Sequence, residues 1–309
     1  RRQRQMCIRD RYYNKYSVDL LAAINGSPTQ GFGYTTLMTN NGKMVNRGVE
    51  ITLSGEIIRQ KDFSWNASLL YAFNRNKVKH ISVQPSLWDS RISMPTSYPM
   101  VGKPLYGIYA YKWAGLNENG DPQVYDAENN VTSGPARDYH ALVYCGTTVP
   151  IHNASLTNVL RYKGFEFSAM LILDAGHKLR SSNIPSINMS NGRITSTAKG
   201  IVDRWTQPGD VTDVPRLLFS NDTENFNTHR TELYRYSDLF VYDASNIRLS
   251  NISLAYRVPA HWCKKISLSG ARLQFNVENV ATFAFDSKAN YDLGGKVKPN
   301  YVWGLYLNF

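Results

Sequence analysis

The chain ends on a strict alternation. In the run from Tyr301 to Phe309, large apolar side chains occupy Tyr301, Trp303, Leu305, Leu307 and Phe309, every second position. Successive side chains of a β-strand point to opposite faces, so these five share one face. A soluble sheet hides such a face under a second layer. A transmembrane β-barrel shows it to lipid, with aromatic residues near the water boundary. Taken alone, the nine residues admit both the edge strand of a sandwich and the wall of a barrel.

Further alternations precede this one. Phe63, Trp65, Ala67, Leu69, Tyr71 and Phe73 alternate with mostly polar neighbours over eleven residues, about the length that crosses a bilayer at a tilt. A short polar turn at Arg59 to Asp62 joins this stretch to the alternating Val49, Ile51 and Leu53. Residues 16–24 read as a further strand. Residues 158–162 and 165–173 read as a hairpin around Lys163-Gly164, with Phe165, Phe167, Ala169, Leu171 and Leu173 on its apolar face. Ile252, Leu254, Tyr256 and Val258 alternate with Asn251, Ser253, Ala255 and Arg257. The clearest dyad sets Ala271, Leu273, Phe275 and Val277 against Arg272, Gln274, Asn276 and Glu278. Asn40-Asn41-Gly42 reads as a turn. Residues 176–234 are polar, without clear periodicity, and longer than a compact soluble domain usually leaves irregular. About ten strands are expected, with no amphipathic helix and no repeat of fixed period.

Composition fits this pattern. The mean hydropathy of −0.38 looks soluble, but alternating strands average out in the same way. No run of about 18 consecutive apolar residues exists, which excludes a transmembrane helix. The net charge of +11 is partly local, because five arginines and Asp10 give the first eleven residues +4. The remainder is dispersed, with no basic cluster that would track a phosphate backbone, so nucleic-acid binding is not expected. Cys7, Cys145 and Cys263 are odd in number and widely spaced. They and the six histidines show neither zinc spacing nor a disulfide framework.

Residues 1–11 contain no apolar signal core. Residues 6–11 look like translated adapter read-through at the end of a gene fragment, and a solvated basic tail is the alternative. On either reading the fold is expected to occupy residues 12–309, with the gene truncated upstream on the first.

No P-loop, GxSxG or dinucleotide-binding fingerprint is present, and no enzyme, cofactor or metal site is expected. Residues 117–121 have oxygen ligands at a faintly calcium-like spacing but lack the distal glutamate. Trp88, Trp113, Trp205 and Trp262 could stack on sugar rings, although girdle anchoring or loop packing is the better account. Arg204 and Asp210 could touch substrate, and a loop ion pair or turn is again the better account.

Several motifs carry a resemblance. Residues 41–50 (NGKMVNRGVE), 101–115 (VGKPLYGIYAYKWAG) with Gly120-Asp121-Pro122, and 203–210 (DRWTQPGD) with Pro215-Arg216 stand in order. Tyr236-Ser237-Asp238, residues 243–256 (DASNIRLSNISLAY), Val258-Pro259 and Glu278-Asn279-Val280 follow. Together they resemble the SusC/RagA family of TonB-linked outer-membrane proteins over nearly the whole chain. The family's frequent DPE after the last of these is absent, and Tyr291-Asp292-Leu293-Gly294-Gly295 stands there. The terminal phenylalanine resembles the signal by which outer-membrane barrels are recognised for assembly.

The resemblance implies an all-β fold: the C-terminal part of a large antiparallel transmembrane barrel of about 22 strands, with long extracellular loops. It implies TonB-dependent import of oligosaccharides or peptides across the bacterial outer membrane. A SusD-like surface lipoprotein would be the partner, and TonB–ExbB–ExbD would act through a plug domain this sequence lacks. Arg272, Gln274, Asn276, Glu278 and Arg248 are the expected lumen-facing residues. Tyr301, Trp303, Leu305, Leu307 and Phe309 form the expected assembly signature. Trp205, Arg204, Asp210 and Trp113 are the loop candidates. A passive porin and a soluble glycan-binding sandwich are the alternatives.

Overall fold

A computed structural model describes residues 6–25, 36–83, 90–134, 138–189, 197–219, 228–265, 267–293 and 298–309. Its frame is one antiparallel sheet of eight strands in which each wall strand pairs with the next along the chain. They are β1 (Met6–Asn25), β2 (Thr36–Arg59), β3 (Phe63–His80), β4 (His152–Tyr162), β5 (Phe165–Ala175), β6 (Asn246–Arg257), β7 (Gly270–Ala284) and β8 (Asn300–Asn308). The expected ten or so wall strands are therefore eight among the described residues. The connections are short at one end, as at Lys163-Gly164, and long at the other. That asymmetry belongs to outer-membrane barrels, with short periplasmic turns and long outer loops.

The alternations read in the sequence face as expected. Leu273, Phe275 and Val277 stand opposite Tyr256, Leu254 and Ile252 on one side. They stand opposite Leu305, Trp303 and Tyr301 on the other. Phe165, Phe167 and Ala169 continue the row across β5. This face is not covered: Leu273 is 49% exposed, Trp303 78% and Phe309 92%. No second sheet packs on it among the described residues.

Strict alternation fails at one level of the sheet, and the failure is ordered. From the row Ala169–Ile252–Val277 to the row Leu171–Leu249–Ala281 the chain advances two residues on β5, three on β6 and four on β7. Each extra residue is a β-bulge, which leaves one residue unpaired and bends the strand. On β7 the irregularity includes Asn279, whose φ of 54° lies in the left-handed region that asparagine tolerates better than most residues. On β6 the bulge shifts the apolar phase from Ile252, Leu254 and Tyr256 to Leu249 and Ile247. Arg248 thereby joins Ser253 and Asn251 on the polar face. Unbroken alternation would have placed it with Ile252.

Three further expectations are corrected. Asn40 to Gly42 is not a turn but lies inside β2, where the pairing with β1 slips between Leu20–Gly42 and Leu21–Asn40. The Asn-Gly signal forms a bulge there, and a Cβ at Gly42 would stand 3.1 Å from that of Leu20. The expected non-structural tail does not hold for Met6 to Arg11, which pair in register with Gly55 to Glu50. Main-chain pairing needs few particular side chains, and the unpaired edge of β2 accepts them; residues 1–5 lie outside the described residues. The stretch from Gly176 to Tyr234 is not wholly irregular. It holds short strands and the helix Thr228–Arg235, which buries Leu233 and Tyr234. Eight residues are too few for helical periodicity to stand out in the sequence.

The buried clusters lie in the long connections. Tyr109, Tyr111, Val124, Ala141, Leu142 and Leu233 form one. Ile187, Tyr234 and Phe240 form the other. They make a packed cap at the end of the sheet that carries the long loops.

Candidate functional site

Two surfaces carry polar chemistry: the polar face of the sheet and the cap. On the polar face, β7 alternation sets Arg272, Gln274 and Asn276 half-buried behind the exposed Leu273. Gln274 Nε2 donates to Asn276 Oδ1 at 3.0 Å and to Ser253 Oγ at 3.4 Å. Arg272 Nη2 donates to Glu166 Oε1 at 3.3 Å, and Arg161 Nε donates to Glu166 Oε2 at 2.7 Å. Higher on the same face Asn153 donates to Asp174 at 2.7 Å. Arg248 is half-buried there, and its Nε is buried without a hydrogen-bond partner. Glu278, the last of the expected lumen-facing set, is exposed. The structure thus sets Arg272, Gln274 and Asn276 on one face, with Gln274 bonded to Asn276 and Arg272 bonded to Glu166, and leaves Glu278 and Arg248 outside these contacts.

The cap is organised by a carboxylate. Arg216 embraces Asp121 with two bonds, Nε to Oδ1 at 3.1 Å and Nη2 to Oδ2 at 2.9 Å. Arg230, from the helix Thr228–Arg235, donates Nε to Asp121 Oδ1 at 2.6 Å. It also donates to Asn188 Oδ1 at 2.6 Å and to the Arg216 carbonyl at 2.8 Å. Its side chain is 2% exposed. Burial pulls the Arg230 pKa down, and the charge of Asp121 opposes that shift. Asn117 Oδ1 accepts the backbone N–H groups of Asn119 and Asp121, closing the turn that presents the carboxylate. Residues 117–121 therefore build an arginine-bound turn, with guanidinium groups where a calcium loop would place a cation.

The loop candidates are absorbed into this cap. Trp205 lies against Gly120, where a Cβ would come within 2.4 Å of the indole, and Gly120 has a φ of +73°. Only glycine suits both constraints. Asp210 Oδ2 accepts from Thr206 N and Oγ1 and from Gln207 N. These bonds, led by the Thr206 backbone N–H, hold its carboxyl below the usual range. Arg204 Nη1 donates to the Ile201 carbonyl at 3.4 Å. Trp113 donates its indole N–H to Asp213 at 3.0 Å and packs on Tyr234 at 5.9 Å between centroids. All four serve loop architecture in this structure. Trp262 is exposed in the turn after β6, and Trp88 lies outside the described residues. Asp121 and Arg216 stood in the quoted motifs without a partner assigned, and Arg230 was missed. Only the helix brings it to Asp121, 109 residues away.

No family model matches the chain. Among curated proteins it is similar to the TonB-dependent receptor P3 of Formosa agariphila, 24% identical over 294 residues, covering 88% of this chain and 28% of the relative. It is also similar to the TonB-dependent receptor SusC of Bacteroides thetaiotaomicron, 23% identical over 284 residues, covering 87% of this chain and 26% of that one. Among solved structures, that of the RagAB peptide transporter superposes with a TM-score of 0.73 at 21% identity, covering 98% of this chain and 33% of the other. The chain spans between about a quarter and a third of the length of the curated relatives it matches.

Proposed function

We propose that the chain is part of a SusC/RagA-like TonB-dependent receptor of the bacterial outer membrane, a reading supported by its similarity to such receptors, and that it is the C-terminal wall of an active importer of oligosaccharides or peptides. The apolar face, from Phe165 to Trp303, meets lipid. The polar face, with Arg272, Gln274, Asn276, Glu278 and Arg248, meets the lumen. The cap stands on the extracellular side, where a SusD-like lipoprotein closes over the substrate. Another part of the polypeptide supplies the plug through which TonB–ExbB–ExbD delivers energy. The barrel portion begins with β1 at Met6 and runs to the last strand, and the wall performs no chemistry on its cargo.

One observation carries the reading. A continuous apolar face lies uncovered on one side of the sheet while a hydrogen-bonded polar row lies on the other. Water on both sides would leave that apolar area unburied, and lipid on one side satisfies it. The similarity to SusC and to the RagAB peptide transporter supports import as the task.

The test is uptake by cells that make the whole receptor, with labelled oligosaccharides and labelled peptides, with and without TonB. Import that depends on the receptor and disappears without TonB is the expected result. Uptake that persists without TonB would make the barrel a passive porin. The class of label that enters identifies the substrate class.

A further inference from the structure

At the turn end of the polar face the wall forms a recess of about 150 Å³, lined by Arg161, Lys163, Glu166, Ala255, Arg257 and Arg272 among others. Four cations surround one carboxylate. Both oxygens of Glu166 are already engaged, by Arg161 at 2.7 Å and by Arg272 at 3.3 Å. Among the described residues no carboxylate pairs with Arg257 or Lys163, although the Lys163 backbone N–H bonds the Asp62 carbonyl at 2.8 Å. The Arg257 backbone N–H bonds the Gly164 carbonyl, and Lys163 Nζ lies 5.3 Å from the Tyr162 ring centroid. The neighbouring turn supplies no correction, because Lys61 offsets Asp62 and Arg59 is paired with Glu56 at 3.2 Å. The turn after β6 adds Lys264 and Lys265 without an acid.

We propose that this recess receives carboxylate side chains of an acidic polypeptide segment lying inside the barrel at its periplasmic end. The facing of the recess selects the occupant. Arg272 and Ala255 lie opposite in facing to Leu273 and Leu254, so the recess opens away from the lipid-facing side and excludes a membrane headgroup. Arginine offers a planar fork matched to carboxylate, and the recess holds three. The positive field focused between the strands attracts the segment, and Arg257 and Lys163 are the two charges free to bind it. The inference rests on the barrel reading above, but not on the substrate or on TonB.

A carbodiimide applied to the whole receptor in membranes tests it. The reagent joins a carboxyl group to a nearby amine as an amide, with loss of water, so peptide mass spectrometry can identify what meets Lys163. The expected product links Lys163 to an aspartate or glutamate outside the wall described above. Arg257→Gln should lower its yield by about two- to fivefold, as loss of one partly exposed ion pair implies. Lys112→Gln, in the cap, should leave it unchanged. Lys163 coupled only to Asp62 or Glu166, or uncoupled while other lysines react, would overturn the proposal. So would coupling undiminished by Arg257→Gln. Heat-dependent gel migration of each variant reports barrel closure, so a failed recess is distinguishable from a failed barrel.

Discussion

Asp121 is the residue on which the cap turns, and its surroundings predict an asymmetric response to substitution. Arg230 is nearly buried and carries three hydrogen-bonded partners. Its loss strands Asp121 with Arg216 alone and leaves Asn188 unsatisfied. Breaking one side of a buried ion pair costs about 3–5 kcal/mol; here the remaining guanidinium puts Arg230→Ala near the lower end. Asp121→Asn is expected to cost less than Asp121→Ala, because the amide still accepts from one arginine. The double substitution Asp121→Ala with Arg230→Ala should cost less than the sum, since each single change already breaks the same contact. Hydrogen exchange at the Arg216 and Val124 amides measures each case. A second residue-scale prediction concerns Cys145. Burial, helped by the charge of Asp238, pushes its thiol up to about 11. At pH 8 only about one thiol in a thousand is then the reactive thiolate. Alkylation of Cys145 in the folded receptor should rise steeply between pH 8 and 11, and a rate that plateaus by pH 9 would contradict this. None of these roles was legible in the sequence. Asp121, Arg216 and Arg230 stand in separate motifs or in none, and a charge says nothing of its partner until the chain has folded.

At the scale of the strand, the sequence was most legible where alternation is unbroken. The facing of β7 and β8 follows from Leu273, Phe275, Trp303 and Leu305 alone, because period two admits only one division into faces. It was least legible at the bulges. Arg248 follows the phase of Ile252 if the count is strict, and only an inserted residue on β6 returns it to the polar face. Asn40 to Gly42 shows the same limit, since a turn and a bulge ask the same conformational freedom of Asn and Gly. Two predictions belong here. Leu273→Arg should destabilise the barrel by about 2–4 kcal/mol if the position lies near the bilayer midplane, and Gln274→Arg by far less. Urea unfolding in lipid vesicles compares them, and equal costs would reverse the assigned facing. Asn279, with its positive φ, should accept glycine with little change. Asn279→Val should cost about 1–2 kcal/mol, the penalty of a left-handed conformation for a side chain with a Cβ. If valine were tolerated as well as glycine, the bulge would not depend on that conformation.

At the scale of the molecule, the described residues form a wall without a closure. β1 and β8 are the two ends of the strand order and do not pair with each other. Each presents a row of unpaired N–H and C=O groups, which in a membrane cost several kcal/mol apiece and in water template aggregation. Two escapes exist for a chain of eight wall strands. It can curl until β1 meets β8, giving a small barrel, or it can use further strands to complete a wider one. The cap favours the second. Its packed clusters, joined through Arg180 to the carbonyls of Tyr109, Arg235 and Ser237, form a body of their own. A barrel of eight strands has an interior that side chains alone fill, leaving no passage beneath such a cap. The 309 residues produced by themselves are therefore expected to aggregate or stay unfolded in detergent. They should show no compact, heat-sensitive band on a gel, whereas the whole receptor should show one. A monodisperse product of this chain alone, with β1 cross-linked to β8 through cysteines at Tyr12 and Leu305, which share the apolar face, would mean that the wall closes on itself. Its polar face would then be a filled core rather than the lining of a lumen, and the recess at Arg257 would have no room for a guest.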